Sequence, residues 1–492
     1  MGSAAAFPLT ISGPLVALVV AALVGVAGDD LYAAYAAFVL IVSVSLVWRR
    51  DDPPVLPFIL AYQWVSVTAG YAYSWWFDTF PGTYPPGNVE RTMSIALTGL
   101  LVLSIGIRLA TQWVASSRGP GKSDAPHAER VTTVWPLFVI VMASYAIDYV
   151  YSVNAREFGS ASSVVQRVLE FRQVLLVTLW LEILRTQRHL PLLLVSFAWA
   201  LVPRLGAYYS DFKSPVLLML LILAASWRPW EAKWWPKSAV AAVRATPFAA
   251  VLLILLLAWQ GGLKRNTRVA LNDGWIGDDP GERIAFFVQN FRQELPALFD
   301  DPEPYVEALV ERVSYITFFS RVLEHVPDRE PFADGELLNM AMMNAFVPRV
   351  LVPDKPELPS DSYYTRRFAG VQVAERDTSV SIGYMAEFYA DWGLAGMFVS
   401  VLAYGLWIGA VANVVRAFAA VPLLRFGAMT VVLLAVADFE HQFIKGFAAL
   451  NLNAAVTLGL MAVLGPPLSR LIGIESHRAE DTAARPVGVP AP

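Results

Sequence analysis

Long apolar stretches dominate the chain and recur at the length of a membrane-spanning helix. A helix that crosses the hydrocarbon core needs about 20 mostly apolar residues. Roughly twelve windows of this kind occur among the 492 residues. They lie at 8–28, 30–48, 55–77, 92–114, 134–153, 173–185, 190–209, 214–227, 246–263, 388–412, 424–442 and 447–466. The pattern therefore predicts an all-α polytopic membrane protein with about 12 transmembrane helices.

The polar segments between these windows predict four parts. They are an N-terminal transmembrane bundle over 1–263, a large external loop domain over 264–387, C-terminal transmembrane helices over 388–468 and a disordered cytoplasmic tail over 469–492. Within the loop domain, apolar residues recur at intervals of three and four in 281–299, 304–326 and 337–348. This spacing is typical of helices that bury one face. We expect these helices to lie on the transmembrane bundle.

Basic residues in the short connections concentrate on one side of the predicted bundle. With the N-terminus in the cytoplasm, the connections on that side carry Arg49, Arg50, Arg118, Lys122, Arg130, Arg185, Arg188, Arg228, Lys233, Lys237, Arg244, Arg416, Arg425 and Arg478. Short connections on the opposite side have few Lys or Arg residues, apart from 154–172 and Lys213. Cytoplasmic connections are enriched in Lys and Arg. The asymmetry predicts an N-in, C-in topology with 264–387 outside.

Composition narrows the class of protein further. Hydrophobic residues make up 56% of the chain and charged residues only 16%, which excludes an ordinary soluble domain. The formal charge of −4 gives no indication of nucleic-acid binding. The absence of cysteine excludes disulfides and thiol nucleophiles. No GxxxxGK[ST], HExxH or GxSxG motif occurs, so energy for a reaction would come from an activated substrate or an ion gradient.

A polar segment over 344–387 is the predicted active-site loop. Its cations are Arg349, Lys355, Arg366, Arg367 and Arg376. Arginine grips phosphate oxygens in bidentate fashion and lysine adds a point charge, so the segment suits a diphosphate without a metal ion. Tyr363 and Tyr364 are further candidate substrate contacts. In the alternative interpretation, the cations pair with the carboxylates of Asp354, Glu357, Asp361, Glu375 and Asp377 on a solvated loop.

Ionisable residues also lie at the ends of the last predicted spans. Glu387 and Asp391 are four residues apart near the start of span ten, so they share a helical face. Asp438, His441 and Lys445 share a face near the end of span eleven by the same argument. Ionisable groups in apolar spans commonly line a cavity or pair with each other. Both a functional site and a structural ion-pair network stay open at this point.

Two further basic positions are candidates on the outer side. Arg204 lies about one and a half turns inside the outer boundary of span seven, where an arginine is a functional candidate by default. Snorkelling of its side chain towards the interface is the alternative. Arg167 and Glu170 fall on a predicted short helix in the outer connection 154–172. That helix either faces an anionic ligand or carries solvated charges.

Two motifs carry a resemblance to a known family. FVPRVLVPDKP over 346–356 and DxSxxxGYxxEFYxDWGxxG over 377–396 resemble bacterial O-antigen and exopolysaccharide repeat-unit polymerases of the Wzy type. The resemblance implies a GT-C-like fold in the bacterial cytoplasmic (inner) membrane and an active site that faces outside. It also implies transfer of oligosaccharides from undecaprenyl diphosphate. By position, Arg349 and Lys355 match the first motif, and Glu387 matches the glutamate that opens the next span.

The expected reaction transfers a growing glycan from its polyprenyl diphosphate to a sugar hydroxyl on the next lipid-linked unit. The residues expected to stabilise the departing diphosphate are Arg349, Lys355, Arg366 and Arg367. Glu387 is the first choice for the general base, with Asp391 and His441 as alternatives. Further expected substrate contacts are Arg204, Arg376, Tyr363, Tyr364 and Lys445. No metal or other cofactor is expected.

The expected partners are the lipid-linked donor and acceptor, membrane lipid and a chain-length regulator protein, without nucleic acid. Two other functions fit the same sequence. The first is a GT-C enzyme with a polyprenyl monophosphate donor, or a ligase that moves a finished glycan. The second, from another class, is a flippase or transporter of lipid-linked oligosaccharides. Transporters often contain repeated halves, whereas this chain has no detectable internal repeat and a bulky outer segment on one side only.

Overall fold

The computed structural model describes residues 9–49, 52–82, 84, 86–117, 134–154, 162–186, 188–201, 213–226, 250–251, 253–277, 280–346, 359–372, 380–418 and 422–472. Within these ranges the chain forms helices joined by turns, and no strand occurs there. The first helices are α1 (Leu9–Gly28), α2 (Leu31–Val47), α3 (Val55–Phe77), α4 (Val89–Ser117), α5 (Val134–Asn154), α6 (Ser162–Thr186), α7 (Leu190–Leu201) and α8 (Lys213–Ser226).

The remaining described elements include the predicted loop domain and the C-terminal helices. After a π-helical turn at Trp259–Leu263 come α9 (Lys264–Asn272), α10 (Pro280–Asp300), α11 (Glu303–Val313), α12 (Ile316–His325), α13 (Glu336–Phe346) and α14 (Asp361–Ala369). They are followed by α15 (Tyr384–Phe418), α16 (Pro422–Leu433), a short 3-10 turn at Leu434–Val436 and α17 (Phe443–Leu471). The predicted helix over 281–299 is confirmed by α10, and that over 337–348 is confirmed by α13 as far as Phe346, since 347 and 348 lie outside the described residues.

Four of the described helices are long and apolar enough to cross a membrane. They are α3, the Val89–Gln112 part of α4, α15 and α17. Shorter apolar segments lie at Leu15–Val26, Leu31–Val47, Val134–Asp148, Leu190–Leu201 and Leu424–Val436. The all-helical class is therefore confirmed in the described ranges, and these helices agree with a membrane protein.

The centre of the bundle is a close crossing of α4 and α15. A Cβ atom added to Gly106 of α4 would lie 2.6 Å from the carbonyl oxygen of Leu402. One added to Gly405 of α15 would lie 2.4 Å from the carbonyl oxygen of Leu103. Small residues let helix backbones approach this closely in membranes. The crossing fixes the position of α15 against α4.

The helices of the loop domain contact one end of this bundle. Before α4, the Gly87 N–H donates to Ser320 Oγ of α12 at 3.0 Å. At the other end of α4, Arg49 Nη2 donates to the Thr111 carbonyl oxygen at 2.6 Å. Because Gly87 precedes α4 and Thr111 lies near its end, the loop-domain helices and Arg49 occupy opposite ends of the bundle.

Helix α15 is broken near its start, where the sequence predicts one span over 388–412. Trp392 and Gly393 have non-helical backbone, and Gly393 adopts φ +66°. Glycine occupies this left-handed region without steric cost. The break separates the segment that carries Glu387 and Asp391 from the longer apolar part of α15.

Three boundary predictions are corrected by the structure. The expected short helix around Arg167 and the span at 173–185 are one continuous helix, α6. The charge of Arg172 does not end this helix because Arg172 pairs with Asp148 at 2.8 Å. The region 304–326 forms two helices, α11 and α12, because Ser314 between them has extended backbone.

The C-terminal boundaries also differ from the prediction. The span expected at 424–442 stops being α-helical at Leu433, and a new helix begins at Phe443. Asp438 and His441 therefore precede α17, and they do not share one helical face with Lys445. Helix α17 continues to Leu471, so the first residues of the predicted tail are helical. Residues 473–492 lie outside the described ranges.

Candidate functional site

Three segments that are distant in sequence meet at the candidate site. They are helix α14, the first two turns of α15, and the connection from 437 to the start of α17. The predicted site residues Arg204, Arg349, Lys355 and Arg376 lie outside the described residues. The candidates that the structure describes are Tyr363, Tyr364, Arg366, Arg367, Glu387, Asp391, His441 and Lys445.

Glu387 in the first turn of α15 caps the N-terminus of α17. Its side chain is 6% exposed, and Oε2 accepts a hydrogen bond from the Phe443 N–H at 2.9 Å. Gln442, the N-cap residue of α17, provides no side-chain cap of its own. This contact is a helix cap, because the first N–H groups of a helix have no partner within the helix. Oε1 of Glu387 makes no hydrogen bond within the described part of the chain.

Asp391, one turn after Glu387, caps a different helix. Its oxygens accept hydrogen bonds from the backbone N–H groups of Leu337 at 3.1 Å and Leu338 at 2.9 Å. These residues lie in the first turn of α13, and the Asp391 side chain is fully buried. Both oxygens are thus occupied by a cap. The geometry gives Asp391 a positioning role and leaves no free oxygen that faces a substrate.

An ion pair links α14 to the start of α17. Asp361, the first residue of α14, accepts from Lys445 Nζ at 2.5 Å. The Asp361 side chain is 7% exposed, whereas that of Lys445 is 50% exposed. Ser360 is the N-cap of α14, and its hydroxyl accepts from the Tyr363 N–H. Gly370, with φ +64°, is the C-cap. The pair holds a partly exposed ammonium group close to the helix end that Glu387 caps.

The arginines and tyrosines of α14 have different surroundings. Arg367 pairs with Glu330 at 2.6 Å and with Glu336 at 3.0 Å. Arg367 is therefore ion-paired, but its partners are not the loop carboxylates expected in the alternative interpretation. Arg366 is half-buried, and Tyr363 is exposed.

Tyr364 of α14 is buried against α13. Its hydroxyl donates to Met340 Sδ at 3.1 Å. Burial, followed by the nearby charge of Glu387, raises the pKa of Tyr364. The hydroxyl therefore stays protonated at neutral pH. Tyr364 contributes packing against α13. Its proximity to Glu387 means that this carboxylate lies near α14.

His441 lies in the connection before α17 and is 42% exposed. Its Nε2 lies 3.4 Å from Asp438 Oδ2. The neighbouring Glu440 binds Arg312 of α11, with Nη1 to Oε2 at 2.5 Å and Nη2 to Oε1 at 2.8 Å. The bidentate contact fastens this connection to the loop domain.

Residues 128–421 match a family described as a domain of unknown function, DUF8712. The chain belongs to the DUF8712 family. No match was found among curated proteins or among solved structures. The family region includes Asp361, Glu387 and Asp391 of the site, whereas His441 and Lys445 follow it.

In this DUF8712 chain, two of the predicted acidic residues share a helical segment but cap different helices. The pair of Arg312 and Glu440 was missed by the sequence analysis, because its partners are 128 residues apart and neither lies in a motif. Gln442 was missed as well. Its Nε2 is buried and has no hydrogen-bond partner among the described residues. Gln442 is a single polar residue between two apolar helices, so the sequence did not indicate that its amide would be buried.

The DUF8712 site combines groups that suit an anion with a partly free carboxylate. The ammonium group of Lys445, which is half exposed, favours negative charge nearby. Glu387 offers one oxygen that no described group occupies. His441 offers an imidazole that is accessible to solvent. This set provides electrostatic stabilisation and a proton acceptor within one region.

Proposed function

We propose that this DUF8712 protein is a membrane glycosyltransferase with about 12 transmembrane helices and a GT-C-like fold. It polymerises oligosaccharide repeat units linked to polyprenyl diphosphate, on the outer face of the bacterial cytoplasmic membrane. The observation that supports this most is the free Oε1 of Glu387 beside the start of α17 and Lys445. The resemblance of 346–356 and 377–396 to Wzy-type polymerases supports the same activity.

The diphosphate of the donor fits the cationic side of this site. Its lipid chain would lie along apolar helices such as α15 and α17, whose ends meet at Glu387. The half-exposed ammonium group of Lys445 would face the phosphate oxygens. Arg366 lies on the neighbouring α14, and the cations at Arg349, Lys355 and Arg376 belong to the adjoining segments of the sequence. Fixed positive charge lowers the barrier when it meets the charge that develops on the leaving group.

The acceptor is a sugar hydroxyl on the next lipid-linked unit. Its oxygen attacks the anomeric carbon of the donor glycan, and the bond from that carbon to the diphosphate oxygen breaks. The electron pair of this bond leaves with the diphosphate. The hydroxyl proton passes to Oε1 of Glu387, which acts as the general base. Asp391 is less suited to this step because two backbone N–H groups occupy its carboxylate.

Product sizing with purified protein tests the proposal. The protein is incubated with lipid-linked oligosaccharides, and the products are separated by length. A ladder in steps of one repeat unit is expected. Steps of a single sugar would indicate a monophosphate-dependent enzyme, and a single transfer to another acceptor would indicate a ligase. If no glycosidic bond forms while labelled lipid-linked glycan crosses the bilayer of liposomes, the protein is a transporter and the proposal is wrong.

A further inference from the structure

A polar cleft lies at the opposite end of α11 from the candidate site. It has a volume of about 290 Å³ and opens between the π-helical turn at Trp259–Leu263 and the helices α9, α10 and α11. Its lining includes Gly261, Gly262, Arg265, Glu294, Asp301 and Tyr305. The volume is close to the lower end of the range for small-molecule sites.

The floor of the cleft is a carboxylate held in one orientation. Glu294 accepts from the Tyr305 hydroxyl at 2.6 Å and from Asn266 Nδ2 at 3.0 Å. Two glycines of the π-helical turn make room for this arrangement. A Cβ at Gly262 would lie 2.4 Å from the Glu294 carboxylate, and one at Gly261 would lie 2.2 Å from the Tyr305 ring. π-Helical turns frequently occur at functional sites.

Two charged side chains at the rim of the cleft are accessible to solvent. Arg265 is exposed and makes no hydrogen bond or ion pair within the described part of the chain. Asp301 is also exposed, and its carboxylate makes no such contact there. The cleft lining thus contains one positive charge, on Arg265, and two negative charges, on Glu294 and Asp301. The cleft therefore offers strong donors and strong acceptors side by side, without an excess of positive charge.

We infer that this cleft binds a carbohydrate, as one or two sugar units of a longer glycan. A sugar hydroxyl both donates and accepts hydrogen bonds, so it satisfies a carboxylate and a guanidinium at once. A phosphate would be repelled by two carboxylates and attracted by only one arginine. A simple cation would be repelled by the positive charge of Arg265. Of these ligand classes, a neutral polyol matches all of the exposed groups.

The position of the cleft indicates which part of the glycan it holds. Tyr305 and Arg312 are seven residues apart on α11, which corresponds to two turns or about 10 Å along the helix axis. Arg312 binds Glu440, the neighbour of His441. A glycan in the cleft would extend along α11 to the proposed transfer site. That the bound glycan is the substrate of transfer rests on the proposed function, whereas carbohydrate binding itself does not.

Binding to free glycans tests the inference without any lipid diphosphate. The full-length protein in detergent is applied to an array of defined neutral, amino-sugar and uronic-acid oligosaccharides, and the strongest binder is titrated. Arg265→Gln is the main variant, because Arg265 is exposed and makes no hydrogen bond or ion pair with a described residue. We expect its Kd to rise about tenfold, the size typical for loss of a charge-assisted hydrogen bond. Arg292→Gln is the matched control, since Arg292 is exposed on α10 but does not line the cleft.

The outcomes separate this inference from the proposed function. Unchanged Kd for Arg265→Gln, or no glycan bound by the parent protein, would overturn the inference even if a polymer ladder forms. Binding of spermidine in place of any glycan, with loss in Glu294→Gln, would replace it with a cation site. Loss of glycan binding in Arg265→Gln but not in Arg292→Gln supports it, even if product sizing shows no polymerisation.

Discussion

The Glu387 carboxylate accepts a hydrogen bond from the Phe443 N–H at 2.9 Å, although the two residues are 56 positions apart. This contact joins the start of α15 to the start of α17. It also leaves the second oxygen of Glu387 without a partner in the described structure. One side chain thus has a structural contact and a free proton acceptor, and the two roles can be separated by substitution.

Glu387→Gln should abolish most of the activity while the fold is retained. The amide oxygen of glutamine still accepts from the Phe443 N–H, but the side chain no longer takes up a proton. We expect turnover to fall about 100-fold or more, as is typical for loss of a general base. Binding of the lipid-linked donor and the melting temperature should stay close to those of the parent. Turnover, donor Kd and thermal unfolding are measured on the same preparation.

Glu387→Ala provides the comparison, because alanine loses the cap as well as the base. This variant should lose stability in addition to turnover. If Glu387→Gln retains turnover within a few-fold of the parent, Glu387 is not the base. His441→Gln would then be the next variant to measure, because His441 is the accessible alternative.

Asp391→Ala should act on stability rather than on chemistry. The substitution leaves the N–H groups of Leu337, which is buried, and Leu338, which is partly buried, without their acceptors. Unsatisfied buried donors cost about 1–3 kcal/mol each, so the melting temperature should drop clearly. Activity per folded molecule should stay within a few-fold of the parent. A loss of 100-fold in turnover at unchanged melting temperature would contradict the capping role.

The sequence predicted the helices of the bundle well where the apolar run is continuous. Helix α3 spans Val55–Phe77, as the hydropathy window 55–77 predicts. The predicted helix ends were wrong where a tertiary contact pairs with a charged side chain or with a backbone polar group. Arg172 stays inside α6 because Asp148 and the ring of Tyr145 accommodate it. Local sequence does not contain these partners.

The sequence predicts that Glu387 and Asp391 share a helical face, but it does not predict the contacts of their carboxylates. The helical spacing of Glu387 and Asp391 was correct up to the break at Trp392. Their different roles depend on Phe443, Leu337 and Leu338, which lie more than 50 positions away in the chain. Helical spacing describes neighbours on one helix, and it carries no information on the helix ends that these carboxylates cap.

Arg349→Ala should abolish polymer formation while the protein stays folded in the membrane. In the proposed mechanism Arg349 stabilises the departing diphosphate, and removing such a cation costs on the order of 3 kcal/mol in the barrier. Arg349→Lys should rescue poorly because the bidentate fork is lost. The readout is the length distribution of the glycan products. Near-normal polymer with Arg349→Ala would remove Arg349 from the mechanism.

Arg367→Ala is the comparison for Arg349→Ala. The Arg367 side chain is occupied by Glu330 and Glu336, so its loss should loosen the contact between α14 and α13. We expect a lower melting temperature and little change in product length per folded molecule. If Arg367→Ala matches Arg349→Ala in lost polymer with unchanged melting temperature, Arg367 binds substrate directly.

Acid should destabilise the loop domain through His325 at the end of α12. Burial, followed by the charge of Arg329, lowers the pKa of His325 below its usual value of about 6.5. Between the lowered value and about 6.5, the unfolded chain binds more protons than the folded one, so stability falls as the pH drops through this window. His325→Gln should reduce this fall. Melting temperatures of parent and variant between about pH 7.5 and about pH 5 provide the test, and parallel curves would exclude His325 as the cause.

Thiol labelling tests the side of the membrane on which the site lies. Asp328 is exposed in the turn after α12, and the chain contains no cysteine, so Asp328→Cys introduces a single reactive group. Asp361 would be a poor reporter because its side chain is buried and paired with Lys445. Ser123, in the basic segment 118–133 that lies outside the described residues, is the control for the opposite side. An impermeant reagent should label Asp328→Cys in spheroplasts and Ser123→Cys only after permeabilisation, because basic connections stay in the cytoplasm. The reverse pattern would place α11 to α14 in the cytoplasm and exclude polymerisation on the outer face.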